Sequence, residues 1–219
     1  MALSNPFLGP TAGRPRFRIA ALATALLLAA GLFQVGQGIW IHAKAGLAQL
    51  LLQRAWTRTL AGARQVAPWP WADTWPVGRL TVAHLGVDLI VLANASGRTL
   101  AFGPAVLGSP GTRADGPPLI VTGHRDTHFQ FLARLAEGDL LVLTEASGAS
   151  HRYRVRSLSV IDSRMGIPVP REVPGQLLLI TCYPFDALTP GGPLRYLVEA
   201  ARSEAGEAEA DSSPQARHR

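Results

Sequence analysis

Two regimes of hydrophobic patterning divide the chain. Positions 19–41 carry no charged residue. As a helix rising about 1.5 Å per residue, such a stretch spans about 34 Å, enough for a bilayer core of about 30 Å. It exceeds the roughly 7–15 apolar residues of a secretory signal, so an uncleaved anchor is expected. Arg14, Arg16 and Arg18 precede it without an acidic residue, which places residues 1–18 on the cytoplasmic side of the cell (inner) membrane. The rest of a single-pass chain then lies on the periplasmic or extracytoplasmic side. Residues 42–64 keep helical character, with Leu47, Leu50, Leu51 and Leu52 set against Lys44, Arg54, Arg58 and Arg64. Such a helix suits a membrane surface or a continued anchor, and equally a face packed on the domain. Residues 68–76 interleave Pro and Trp and make a stiff spacer that cannot be regular helix or central strand. Its tryptophans fit the headgroup zone and a domain surface equally well.

From Val77 the pattern changes to short strand-like runs at 80–84, 87–92, 119–122, 140–144, 151–155, 158–162, 177–181 and 196–200. Gly, Asn, Asp and Pro clusters separate them. Many short strands at close spacing predict an all-β barrel or sandwich over residues 77–202. One helical insert is expected at 127–136, with Phe131, Leu132 and Leu135 on one face and Gly138 as its stop. Residues 203–219 are polar, without aromatics, and are expected to form a disordered tail.

Composition changes this picture little. The formal charge of +6 over 219 residues could suggest nucleic acid. The arginines are scattered, however, and no basic run interleaves with aromatics as a stacking platform would. Nucleic acid is not expected as a partner, whereas anionic membrane lipid is. A single cysteine excludes an internal disulfide framework.

That cysteine is the first candidate for chemistry. Leu177-Leu178-Leu179-Ile180-Thr181-Cys182 is a buried-strand pattern that stops at a loop, since Pro184 follows. A thiol there is held by a rigid element yet open to substrate, although a lone cysteine is often only a small core residue. A cysteine nucleophile needs a base or ion-pair partner and a group to hold the oxyanion. His124 closes the apolar run 119–123, and Gly123 beside it suggests close backbone approach. His128, four residues on, could share a helical face with His124, but no third ligand pattern accompanies the pair and no metal is expected. Arg195 begins the last strand after the loop 186–194, so a hairpin-like return would bring it near Cys182.

Together, Thr122-Gly123-His124-Arg125-Asp126, the run Leu179-Ile180-Thr181-Cys182 and Arg195 closely resemble the sortases, a family of membrane-anchored cysteine transpeptidases. The family's Thr-Leu-x-Thr-Cys motif is matched at Leu179, Thr181 and Cys182, with Leu178 where Thr is usual. The continuation Cys182-Tyr183-Pro184-Phe185 resembles class D sortases, and the whole looks like the subgroup of Gram-negative bacteria. The resemblance implies an eight-stranded β-barrel and no cofactor. It implies that Cys182 attacks the Thr-Gly bond of a C-terminal Leu-Pro-x-Thr-Gly-like sorting signal on a protein substrate. An amine acceptor then resolves the thioester. His124 would serve as acid and base, Arg195 would bind substrate and the oxyanion, and Thr181 would add a substrate contact. Two other readings use the same residues. An L,D-transpeptidase also employs Cys, His and Arg but expects a Ser-His-Gly-Cys run, which Thr181-Cys182-Tyr183 does not supply. A non-catalytic anchored β-domain would hold Cys182 as core.

Overall fold

The structure, a computed structural model, describes residues 15–108, 117–166, 175–187, 189 and 191–203. The expected tail at 203–219 lies outside the described residues except for Ser203. The chain divides into two compact units, Met1–Gly46 and Leu47–Arg219.

In the first unit the described residues form the beginning of a single helix, α1 (Pro15–Leu60). Pro15 sits at its start, where a missing N–H costs nothing, and no further proline interrupts the helix. Its apolar side chains Leu26, Leu27, Leu32 and Phe33 are exposed. It is long and apolar enough to cross a membrane. Beyond that stretch the Lys44 ammonium lies over the Trp40 ring, 5.5 Å from its centre.

The second unit opens with the last turns of α1. Leu52 and Trp56 are buried there against Ile90, Leu92 and Ala105. Gln49 also donates to the Phe102 carbonyl at 2.9 Å. Of the two placements left open for this amphipathic stretch, its residues beyond 47 take the domain surface. The helix ends in a capped turn, with Ala63 N–H bonded to the Arg58 carbonyl and Gly62 N–H to that of Thr59. In the Pro/Trp segment, Trp69 meets Phe102 edge-on at 4.7 Å, whereas Trp71 is exposed.

Eight strands then close a barrel in the order β1-β2-β3-β4-β7-β8-β6-β5. They are β1 (Pro76–Val82), β2 (Val87–Leu92), β3 (Ala105–Val106), β4 (Leu119–Thr122), β5 (Leu140–Glu145), β6 (Ser150–Asp162), β7 (Leu177–Cys182) and β8 (Leu194–Arg202). Strand β1 pairs with β5 as well as β2, which closes the ring and leaves no free edge. Alternate residues such as Leu80, Val82, Leu141, Leu143, Leu177 and Leu179 fill the interior. Strand β7 is buried on both faces, because Leu178 and Ile180 pack with Leu197 on its other side. That double burial is why its sequence is a continuous apolar run and not an alternating one.

The eight strand-like runs do not correspond one to one with the eight strands. The runs at 151–155 and 158–162 are one strand, β6. A register shift between Val155 and Ser157 reverses the phase of its alternation, so the pattern reads as two. The missing eighth strand is β3, whose two residues are too few to show a period. Residues 94–97, one of the Gly and Asn clusters that separate the runs, continue into a short helix, α2 (Gly97–Leu100), capped by the Ser96 side chain. The helix expected at 127–136 is shorter, a 3-10 segment over Gln130–Arg134. Its first residues are diverted into a turn on the His124 carbonyl, which accepts from Phe129 N–H at 3.0 Å. The apolar face was placed correctly, since Phe131, Leu132 and Leu135 plug the barrel.

Candidate active site

Cys182 is the last residue of β7 and is partly exposed. Its direct partner across the antiparallel β7–β8 pair is Arg195. The pair arises because the chain turns back between Tyr183, whose N–H bonds to the Leu194 carbonyl at 3.1 Å, and Leu194 itself. Arg195 Nη1 donates to the carbonyls of Gly192 (2.7 Å) and Leu194 (2.8 Å). Gly191 and Gly192 have φ of +104° and +90°, a backbone that other residues rarely adopt, and this turns the loop carbonyl towards the guanidinium. Among the described residues Arg195 Nη2 and Nε take no protein partner.

His124 reaches the same end of the barrel by a different route. Strands β4 and β7 run parallel with Thr122 beside Ile180, and Gly123 N–H bonds to the Ile180 carbonyl at 3.3 Å. Continuing this register two residues along both strands brings His124 level with Cys182. Gly123 is required at the junction, since a Cβ there would stand 2.9 Å from the Phe129 ring. His124 itself is exposed.

Thr181 was expected to touch substrate. It is instead buried, and its hydroxyl is committed to the Gly123 carbonyl at 2.7 Å. It thereby ties the strand bearing the thiol to the backbone just before His124. His128 is not on a helix but in the turn that follows His124. Burial lowers its pKa, and the neighbouring His124 lowers it further. The two imidazoles are therefore neighbours, though no group of three metal-ligating side chains occurs among the described residues.

Two features escaped the sequence reading. Arg125, quoted there only as part of a motif, is 5% exposed and donates to carbonyls of the β7–β8 loop. An arginine next to a candidate histidine carries no sequence signal that separates burial from exposure. The second feature is an aromatic trio at the same end of the barrel. Tyr183 and Tyr196 stack 6.1 Å apart, and Phe185 meets Tyr196 edge-on at 5.1 Å. Register explains the grouping, because Tyr196 pairs with Thr181 across the sheet. Tyr196 therefore shares the face of Thr181, opposite that of Cys182 and Arg195, and it packs with Phe185 against the interior core.

The comparisons with known proteins define the family. The sequence profile of the sortase domain matches residues 80–203. No curated protein matches the chain significantly. Among solved structures, sortase C-1 from Actinomyces oris is 26% identical, with a TM-score of 0.51 over 59% of this chain and 75% of that one. Sortase A from Corynebacterium diphtheriae is 20% identical, with a TM-score of 0.52 over 76% and 86% of the two chains. A sortase D5 transpeptidase from Clostridium perfringens shares the fold at 14% identity, with a TM-score of 0.52 over 69% and 89%. The chain belongs to the sortase family, and its barrel is that of a cysteine transpeptidase. The L,D-transpeptidase and non-catalytic readings give way to it.

Proposed function

We propose that this protein is a membrane-anchored sortase. It cleaves a Leu-Pro-x-Thr-Gly-like signal at the C-terminus of a protein substrate and transfers the new acyl end to an amine. The observation that carries this reading is the convergence of Cys182, Arg195 and His124 at the ends of three adjacent strands, β7, β8 and β4. The thiolate of Cys182 attacks the threonine carbonyl. The negative charge that develops on oxygen is held by the Arg195 nitrogens that take no protein partner, through charge-assisted hydrogen bonds. His124 gives its proton to the departing glycine amine as the carbon–nitrogen bond breaks and the thioester remains on Cys182. An incoming amine then loses a proton to His124 as it attacks the thioester, which releases the thiolate. Thr181 contributes by tying β7 to Gly123 and thereby fixing the spacing of thiol and imidazole. The apolar segment 19–41 serves as the single-pass anchor, with residues 1–18 in the cytoplasm and the catalytic domain on the other side.

Mass spectrometry of the full chain incubated with a sorting-signal peptide and no acceptor tests the reading. An adduct on Cys182 equal to the peptide less its leaving fragment is expected. Peptide cleavage that persists in Cys182→Ala would sink it.

A further inference from the structure

Arg125 is the most heavily engaged side chain near the site, and the chemistry above leaves it without a role. Its Nη1 donates to the Pro184 carbonyl at 2.8 Å, and its Nη2 to those of Ala187 at 2.8 Å and Thr189 at 3.3 Å. Its Nε donates to Asp126 Oδ1 at 3.0 Å. The carboxylate alone does not account for the burial, because Asp126 is 67% exposed and such pairs contribute little. Burying a cation is costly unless its donors are matched. Here three of four acceptors are main-chain carbonyls of one loop, the one that leaves the nucleophile's strand. That loop carries Pro184, Pro190 and Pro193, which offer no N–H of their own to turn such carbonyls to use.

We propose that Arg125 is a positioning residue: its guanidinium clamps the loop after Cys182 to the segment bearing His124, and so sets the imidazole against the thiol. The inference rests on the roles assigned above to Cys182 and His124. Arg125 is covalently next to His124, and its first loop acceptor is two residues from Cys182. One rigid plane therefore spans the only two segments that must be in register for proton transfer. Arg195 holds the far end of the same loop through Gly192 and Leu194, so the loop is gripped at both ends. A lysine could not replace Arg125. Its ammonium is a single point, whereas the carbonyls of residues 184, 187 and 189 are met by a planar fork.

The test uses the full chain in detergent and a Leu-Pro-x-Thr-Gly peptide. The kcat and the pH profile of kcat/KM are measured per alkylatable thiol for Arg125→Ala and Arg125→Lys, in the parent and in His124→Ala. Misplacing a catalytic group by about 1 Å costs about 10²-fold, and a loss of that order is expected for Arg125→Ala. Its pH profile should collapse onto that of His124→Ala, while alkylation of Cys182 at high pH continues. In the His124→Ala background the same change should cost less than about threefold, because groups acting through one another are not additive. Arg125→Lys should recover less than half of the lost activity. Where Arg125→Ala does not fold, the lysine variant carries the same comparisons. Unchanged kcat in Arg125→Ala, full rescue by lysine, or an equal loss with and without His124 would each overturn the clamp. A parent enzyme that never forms a thioester on Cys182 would instead overturn the proposed function itself.

Discussion

Two histidines at opposite ends of the barrel are held in opposite ways. At the end where β4 starts and β5 finishes, His151 is fully engaged. Its Nε2 faces Glu145 at 2.7 Å and its Nδ1 faces an Arg202 nitrogen at 2.7 Å. Arginine can only donate, so Nδ1 must be the acceptor and Nε2 carries the proton towards Glu145. A cavity of about 920 Å³ opens at that end, lined by Thr59, Trp75, Val91, Leu119, Leu143 and Glu145. At the opposite end, His124 is exposed and its imidazole takes no hydrogen bond among the described residues. That cavity thus sits with the locked histidine, and the proposed chemistry with the unlocked one. The role proposed for His124, gaining and losing a proton in each turnover, would be poorly served by two fixed partners. Space is a weaker guide to this site than unused valence.

The sharpest break of this contrast is at the nucleophile. Cys182→Ala should abolish both peptide turnover and covalent adduct, since no second thiol exists. Cys182→Ser should be almost as inert, because a hydroxyl needs a true general base. Next come the histidines. His124→Ala should cut peptide turnover to a small residual rate while a small alkylating reagent still labels Cys182 at high pH. His151→Ala should do the reverse, with kcat per folded thiol within about twofold of the parent. Stripping the partners of Glu145 and Arg202 should lower stability by about 1–3 kcal/mol, read as a fall in Tm. Arg195→Lys keeps the charge but loses the fork, and a drop of about 10²–10³ in kcat is expected. Turnover near the parent's rate would remove Arg195 from the oxyanion role.

The smallest effect concerns His128. Its pKa is lowered in the folded state, so the unfolded chain binds the proton first as pH falls. Stability should therefore decline as pH drops below the ordinary histidine value of about 6.5, and the decline should stop once the folded protein protonates as well. His128→Ala should flatten that part of the Tm-against-pH curve and leave turnover within a few-fold. An unaltered slope would show that other groups produce it.

Much of this was legible because strands that end at a site announce themselves. The doubly buried β7 gave a run that stops at Cys182, and β4 gave one that stops before His124. Arg195 could be placed by the length of a returning loop. The expected count of eight runs concealed two errors that cancel, since the bulge in β6 splits one strand and the two-residue β3 leaves no period. The substrate contact expected of Thr181 rested on the family resemblance alone. Strand alternation turns its hydroxyl away from Cys182 and towards Gly123, which side-chain identity does not reveal. Arg125 was beyond reach because its acceptors are main-chain carbonyls about sixty residues away, and carbonyl direction is not written in side-chain identity.

The parallel pairing of β4 with β7 also bears on how the protein comes to life. Parallel neighbours need a long crossover, and here β5 and β6 are threaded between them. Local hairpins such as β5–β6 and β7–β8 close short loops and can form early, so Cys182 and Arg195 meet as soon as their hairpin does. His124 joins them only when a contact spanning the crossover is made, the slow kind of event in folding. On the proposed roles, a chain caught part-way would carry a thiol and its arginine but no proton donor. It could not complete a transfer, and catalytic competence would arrive only with closure of the barrel.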